Sequence, residues 1–470
     1  MTRLFFLCCI LLFNSFPARA NQTDGIELLN ATLVARLHLS HRAEDGQMVG
    51  AYQVSFRAVT DTPVTKVSVL LNPGLDVLKV VGAGNKSLQV NRRTTSITGA
   101  TGLRLNTATI TLPKALKKNK GRAEIVIHYK GHLKDLSAQG LDGVPETLNP
   151  DFTMIRSQGF AYPLIASPDM ASIDQAWSRN PFHQVAFLDV PGNNTVVGNL
   201  SIAQKTTRGD ITKFEMKSSR PTGPMALAIA PYRVTTLGPI TTATLPQDAA
   251  ADSTFSGHVE QATAALEDMF GAPASNARMT IAALPPGYRV PEGRGAYFVN
   301  GSDLAGTPAL KTALFDMWRM SPDGRAGHWA AGFDTVLAAI IRGEQAMTTM
   351  RPNLFARSKT LMADDSALGK TALADYVIEG YSNESDAVSA LAFTALRDLM
   401  GEEDFSMLVM KIRRNLGAGY TDMASVAEFL EQSVEHKHAK KLVKNWFAGG
   451  KAGKDISRAD SYDELLSRYR

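Results

Sequence analysis

Histidines and carboxylates are the side chains of this chain that could bind a metal ion and activate water for hydrolysis. A helical zinc centre needs two histidines one turn apart, a glutamate beside the first as general base, and a third ligand from the next helix. The nine histidines are His38, His41, His128, His132, His183, His258, His328, His436 and His438. No two of them are four residues apart in a segment with helical periodicity and an intervening glutamate. The usual zinc hydrolase motif is therefore missing.

Other common catalytic groups are also missing from the sequence. Both cysteines, Cys8 and Cys9, precede residue 20, so the rest of the chain has no thiol nucleophile and no thiolate metal ligand. There is no G-x-S-x-G motif and no phosphate-binding glycine loop. The basic clusters at 114–122 and 436–444 lack interleaved aromatic residues, which argues against a nucleic-acid partner.

The stretch 310–333 nevertheless has the outline of a two-helix hydrolase site. Residues 312–318 read T-A-L-F-D-M-W, and residues 328–333 read H-W-A-A-G-F. These segments resemble the H-E-x-x-H-Q-W and W-x-x-E-G-F helices of the M1 family of zinc aminopeptidases. The shared residues are those that pack the helices, namely Trp318, Trp329, Gly332 and Phe333. The resemblance implies a thermolysin-like peptidase scaffold, in a short form of the family.

The register implied by this resemblance puts chemically inert side chains at the catalytic positions. The two zinc-binding histidines fall on Thr312 and Asp316, and the general base falls on Ala313. The third zinc ligand falls on Ala331. Alanine cannot bind a cation or take a proton, threonine is a poor neutral ligand, and one aspartate alone does not hold zinc. We therefore expect no catalytic residue and no resident cofactor at these positions.

The family's exopeptidase loop, G-x-M-E-N, is also altered. Its glutamate binds the free amine of a peptide, and the corresponding segment here is 287–297. Glu292 stands as a displaced equivalent of that glutamate. Arg289 and Arg294 lie on either side of it and would oppose an amine.

The tyrosine that stabilises the transition state in the family falls on Asp386. Tyr376 and Tyr381 are near in sequence but out of register. Side chains that could still bind a ligand in the implied cleft are Glu292, Arg289, Arg294, Asp316, His328 and Asp334.

The resemblance extends beyond the site segments in the same order as in the family. The strand end 127–131 (I-H-Y-K-G), the segment 182–199 and the later G-E-E-D-F at 401–405 each match a family landmark. Trp446 stands where the second domain usually closes. The order of these matches over nearly the whole chain supports the resemblance more than any one of them.

Apolar periodicity predicts the elements that would hold such a site. Between residues 30 and 233, short runs of period two are separated by turn sequences, which predicts an antiparallel β-sandwich. A Thr/Ala/Pro-rich stretch follows, and helical spacing dominates the rest. We expect a multidomain α+β protein with a β-sandwich (21–237), a linker (238–253) and a thermolysin-like, mostly helical domain (254–470).

The first twenty residues have the features of a secretory signal peptide. Arg3 precedes an apolar run, Leu4 to Phe13, and Ala18-Arg19-Ala20 ends in an A-x-A pattern. We expect cleavage after Ala20 and a periplasmic or secreted protein, with a retained N-terminal anchor as the alternative. No later segment has the length and apolar character of a transmembrane helix.

Three functional hypotheses follow from the sequence. The first is a non-catalytic relative of M1 peptidases that binds a peptide or protein through a retained cleft. The second is an active metallo-aminopeptidase with an atypical zinc site made of Asp316, Asp334 and His328. The third is a structural or assembly factor of the cell envelope. The sequence leaves the ligand, the partner and the oligomeric state open.

Overall fold

A computed structural model defines the fold. It describes residues 25–118, 120–178, 181–219, 221–273, 277–290, 295–300, 307–320, 328–364, 368–375, 385–416 and 423–470. The predicted signal peptide, 1–20, lies outside these ranges. Within them, no helix combines the length and the apolar character needed to cross a bilayer. The predicted order, strand-rich first and helix-rich second, is confirmed.

The strand-rich part contains fourteen strands and one α-helix within the described residues. They are β1 (Ile26–His38), β2 (Gln47–Ala58), β3 (Val64–Leu71), β4 (Leu75–Val81), β5 (Val90–Ser96), β6 (Arg104–Leu116), β7 (Ala123–Gly131), β8 (Thr153–Arg156), β9 (Leu164–Ile165), α1 (Met170–Trp177), β10 (His183–Pro191), β11 (Thr195–Gly198), β12 (Ser201–Arg208), β13 (Ile211–Lys217) and β14 (Ala226–Ala230). A seven-stranded sheet has the order β12-β13-β10-β1-β2-β7-β4, and a four-stranded sheet has the order β5-β6-β3-β9.

These two sheets bury their alternating apolar side chains in one shared core. Leu33 and Val54 of the larger sheet belong to the same cluster as Val69 and Ile110 of the smaller one. One strand pair departs from the predicted antiparallel arrangement, because β1 pairs with β10 in parallel. Period-two patterning identifies a strand but carries no information on the direction of a partner that is more than a hundred residues away.

A third sheet, β11-β14-β8, joins the strand-rich part to the helical part. Every residue of β14 is buried. Leu227 and Ile229 face the first core, whereas Ala226, Ala228 and Ala230 belong to the core of the helical part. Successive side chains of a strand point to opposite faces, so this sheet is a layer shared by both cores.

The helix-rich part begins with a mixed sheet of its own. The elements of the helix-rich part are β15 (Arg233–Leu237), β16 (Ile240–Thr244), α2 (Asp252–Phe270), β17 (Met279–Leu284), β18 (Ala296–Asn300), α3 (Thr307–Leu314), α4 (His328–Arg342), α5 (Glu344–Asp364), α6 (Ser385–Met400), α7 (Glu402–Leu416), α8 (Met423–Ser433), α9 (Lys437–Leu442), α10 (Ala452–Ser457) and α11 (Tyr462–Ser467). The sheet order is β15-β16-β17-β18.

The stretch predicted as a linker, 238–253, is regular structure instead. β16 lies inside the second sheet between β15 and β17, and a 3₁₀ helix at 246–251 leads into α2. Ala243 and Leu245 are fully buried. The threonines that made the segment resemble a linker are β-branched residues, which suit a strand once neighbours cover it.

The packing residues of the sequence motif fix the position of α4. Trp318 and Trp329 are buried, and the Trp318 indole donates a 2.7 Å hydrogen bond to the Gly271 carbonyl. Phe333 meets Phe393 of α6 edge to face, with ring centroids 4.9 Å apart. These contacts hold α4 against α6 and define the wall on which the candidate site lies.

Candidate functional site

The helix that would carry the first zinc motif stops before the motif ends. α3 finishes at Leu314, and residues 315–317 continue as a 3₁₀ turn. Positions four apart share a face only on a continuous α-helix. Thr312 is exposed and Ala313 half-buried, whereas Asp316 is buried. The change of helix type therefore separates the environments of Thr312 and Asp316.

The Asp316 carboxylate contacts a main-chain N–H and an arginine side chain. Its Oδ2 accepts a 3.1 Å hydrogen bond from the Gly295 N–H, directly before β18. Its Oδ1 lies 3.3 Å from Nε of Arg319. The Arg319 guanidinium in turn lies over the Phe315 ring, 5.4 Å from its centroid. Asp316 therefore links the 3₁₀ turn to the start of β18, and its carboxylate is paired with the Arg319 guanidinium.

Asp316→Ala is expected to lower the unfolding free energy by about 1–2 kcal/mol, because it leaves the Gly295 N–H and the Arg319 guanidinium without this acceptor. Asp316→Asn should cost less, since an amide oxygen can still accept from Gly295. Chemical denaturation of the three proteins measures the difference. Equal midpoints for all three would show that the carboxylate does not hold the turn.

The next helix, α4, carries two more of the predicted site residues, His328 and Asp334, and the implied third-ligand position, Ala331. Asp334 is buried, and its Oδ1 accepts a 2.8 Å hydrogen bond from the N–H of Met320. Ala331 is half-buried, and its carbonyl accepts from the Thr335 hydroxyl at 2.8 Å. His328 is the first residue of α4, and its side chain lies outside the described residues.

The remaining predicted site residues divide between described and undescribed parts of the chain. Asp386 lies half-buried in the first turn of α6. The Arg289 side chain is exposed, while its main chain bonds to the strand-rich part. The positions outside the described residues are Glu292, Arg294, Tyr376 and Tyr381.

The described residues do not fit a zinc centre. Among them, no group of three His, Cys, Asp or Glu side chains is arranged to hold a metal ion. Asp316, to which the sequence resemblance assigns the second histidine's position, has a guanidinium 3.3 Å away that would repel a divalent cation. The side chains of Ala313 and Ala331 carry no atom that could bind a metal ion.

A buried ion pair in the strand-rich part was not predicted from the sequence. The side chains of Arg156 and Glu146 are both fully buried, and Arg156 Nε lies 2.5 Å from Glu146 Oε1. The same guanidinium donates to the Gly143 carbonyl at 2.8 Å and to the Arg289 carbonyl. Arg156 thus links the end of β8 to the loop that follows β17. The only sequence clue is an arginine closing the apolar strand T-M-I-R.

Burial raises the pKa values of two ionisable groups in and beside this cluster. It raises the pKa of Glu146, and the adjacent Arg156 charge opposes that rise. Burial also raises the pKa of Tyr288 on the linked loop, with the Glu146 charge as the second cause. The Tyr288 ring packs edge to face on Phe152, 4.6 Å between centroids. The loop is therefore fixed by both charge and packing.

An open groove of about 680 Å³ lies along α4 and α5, on the side of Asp334. Ligand pockets in proteins have volumes of this order. The residues that line it are Arg319, Asp334, Thr335, Ala338, Ala339, Arg342, Gln345, Ala346, Thr349 and Met350. Residues 335, 338 and 342 lie on the same face of α4 as Ala331, on which the resemblance puts the third zinc ligand.

Comparison with known proteins supports the fold. No family model matches the sequence, and no curated protein does. The M1 zinc metallopeptidase from Deinococcus radiodurans is similar in structure, with 15% identity, 91% of this chain and 95% of that chain covered, and a TM-score of 0.52. A mutant M1 zinc metallopeptidase from Deinococcus radiodurans gives 16% identity, 90% and 95% coverage, and a TM-score of 0.51. A two-domain M1 zinc metallopeptidase mutant bound to L-arginine gives 16%, 90%, 94% and 0.51.

Likeness at this level of identity establishes architecture, and function has to be argued from the site. The predicted fold class is confirmed, since the strand-rich and helix-rich parts follow one another as in those enzymes. Over nine-tenths of its length, this chain has the fold of M1 zinc metallopeptidases.

Proposed function

We propose that this chain is an exported, non-catalytic M1-like protein that binds a peptide or a protein through its retained cleft. The observation that carries the proposal is the state of the Asp316 carboxylate. It occupies the register position of a zinc-binding histidine, yet it is paired with Arg319 and with the Gly295 N–H. Ala313 and Ala331 supply neither a base nor a ligand.

A binding role is supported by the concave surface, which does not depend on a metal ion or on catalytic residues. A preformed concave surface keeps its shape without the metal, because packing rather than coordination builds it. Trp318, Trp329 and Phe333 provide that packing here. The groove along α4 and α5 has room for a few peptide residues. Export is supported by the basic start, the apolar run and the A-x-A pattern of residues 1–20.

Metal analysis and a peptidase assay test the proposal together. The mature chain, incubated with zinc and then dialysed, should retain less than about 0.1 equivalent, because a single carboxylate does not hold zinc. It should release no N-terminal residue from a panel of aminoacyl-coumarin substrates. An active M1 zinc metallopeptidase treated identically serves as the control.

One equivalent of zinc together with trimming of the panel would refute a non-catalytic role. The atypical-site alternative makes a further demand, since Asp316→Ala should then abolish both zinc retention and activity. Under the proposal, the same variant changes stability alone.

A further inference from the structure

The groove along α4 and α5 carries a cationic side chain towards each end. Arg319 lies beside Asp334, whose Oδ1 is bonded to the N–H of the adjacent Met320. Arg342 is eight residues after Asp334 on α4. At 1.5 Å rise per residue, the two ends of the groove are separated by about 12 Å along the helix.

The acidic side chains near these arginines have hydrogen-bond or ion-pair partners within the protein. Oδ1 of Asp334, the one acid among the lining residues, accepts from a main-chain N–H. Glu344, the acid nearest to Arg342 in sequence, lies 2.6 Å from Arg351 and 3.5 Å from Arg397. Arg342 itself is exposed at the last turn of α4. The lining residues include two arginines and one aspartate, a formal charge of +1, and among the described residues the uncompensated charge is that of Arg342, since Arg319 lies 3.3 Å from Asp316.

The stretch between the arginines suits an extended main chain. Ala338, Ala339 and Ala346 are small and leave the floor open. The Thr335 and Thr349 hydroxyls each donate to a carbonyl of their own helix, so their oxygens can still accept a peptide N–H. An extended peptide advances about 3.3 Å per residue, so about 12 Å corresponds to three or four residues.

We propose that the groove binds an acidic peptide in an extended conformation, with two carboxylates three or four residues apart placed at Arg319 and Arg342. The inference rests on the proposed function, because it assumes that the cleft binds a peptide without cutting it. The proposed ligand is recognised by its negative carboxylates, whereas an aminopeptidase recognises the positive N-terminal amine of its substrate. Arg319 is one-third exposed (33%), and its guanidinium has further N–H groups that can donate to a second carboxylate besides Asp316.

Fluorescence anisotropy with a defined peptide tests the inference. The probe is fluorescein-Gly-Ser-Glu-Ala-Ala-Ala with a free C-terminal carboxylate, compared with its C-terminal amide and with the peptide carrying Gln in place of Glu. Each neutralised peptide should bind about tenfold more weakly, as expected for loss of one charge-assisted pair. Raised salt should weaken the charged probe most.

Two variants locate the binding site, and a third is the matched control. Arg342→Gln removes one cation, and Ala338→Trp fills the floor; each should weaken the probe at least about tenfold. Arg357→Gln removes an exposed arginine of α5 that does not line the groove and should change affinity less than about twofold. Circular dichroism confirms that all three variants are folded.

The inference is overturned if neutral and acidic peptides bind the wild type equally, or if Arg342→Gln and Arg357→Gln behave alike. Neither result affects the proposed function, because a peptide would still be bound without being cut. Zinc retention with cleavage of the probe is the separate result that removes the proposed function.

Discussion

Replacement of Arg156 by methionine is expected to lower the free energy of unfolding by about 3–5 kcal/mol, the range found when one partner of a buried ion pair is removed. Both side chains of the Arg156–Glu146 pair are fully buried. Methionine keeps much of the volume but cannot donate to Glu146, Gly143 or Arg289. A buried carboxylate and two part-buried carbonyls then lose this donor. Urea denaturation followed by circular dichroism measures the loss.

The deficit of the Arg156→Met protein should grow with pH. Burial raises the pKa of Glu146 above its ordinary value of 4.5, and the charge of Arg156 opposes the rise. Without that charge the folded-state pKa rises further. Stability that depends on the bound proton is complete below the unfolded pKa and is lost as pH rises through the folded pKa. The difference from wild type should therefore widen as pH rises above the ordinary Glu value of 4.5.

Two controls separate the buried pair from a general loss of arginine. Arg36→Met breaks the exposed pair with Asp189 in the same part of the fold and should cost less than about 1 kcal/mol. Adding Glu146→Gln to Arg156→Met removes the buried charge and should recover part of the stability and flatten the pH dependence. A double variant no more stable than the single one at high pH would contradict this account.

The local patterns of the sequence predicted much of the fold, because they are set by neighbouring residues. The alternation in β2, for example, gives buried Tyr52, Val54 and Phe56, as period two requires. Trp318, Trp329 and Phe333 were predicted to pack the site helices, and all three are buried. Large aromatic side chains in amphipathic segments have few other stable environments.

The features that the sequence did not reveal depend on distant partners. The Arg156 guanidinium bonds to the carbonyl of Arg289, which is 133 residues later. The linker prediction failed because β16 is stabilised by β17, whose pairing cannot be seen from the Thr-rich segment alone. The residue type of Asp316 and its place in the motif could be read from the sequence, but the 3₁₀ turn and the bond from Gly295 required the structure. Such tertiary contacts decide local conformation wherever propensity is weak.

Glycine-to-alanine substitutions at two helical positions should have opposite effects, and the contrast tests the packing of the candidate site. At Gly332 in α4, an added Cβ would lie 2.6 Å from the Ala390 N and 2.6 Å from the Ser389 hydroxyl of α6. The first of these is main chain, so relief requires the two helices to move apart. We expect Gly332→Ala to cost about 3 kcal/mol, at the upper end of overpacking effects.

At Gly257 in α2, an added Cβ would have no neighbour within 4 Å, and the residue is exposed. Gly257→Ala should therefore stabilise the protein by about 0.5–1 kcal/mol, since alanine reduces the freedom of the unfolded chain. Thermal unfolding of both variants beside the wild type gives the comparison. If Gly332→Ala also stabilised, α4 and α6 could not be in the close contact that holds Trp329 and Phe333, and the wall of the proposed binding cleft would have to be placed elsewhere.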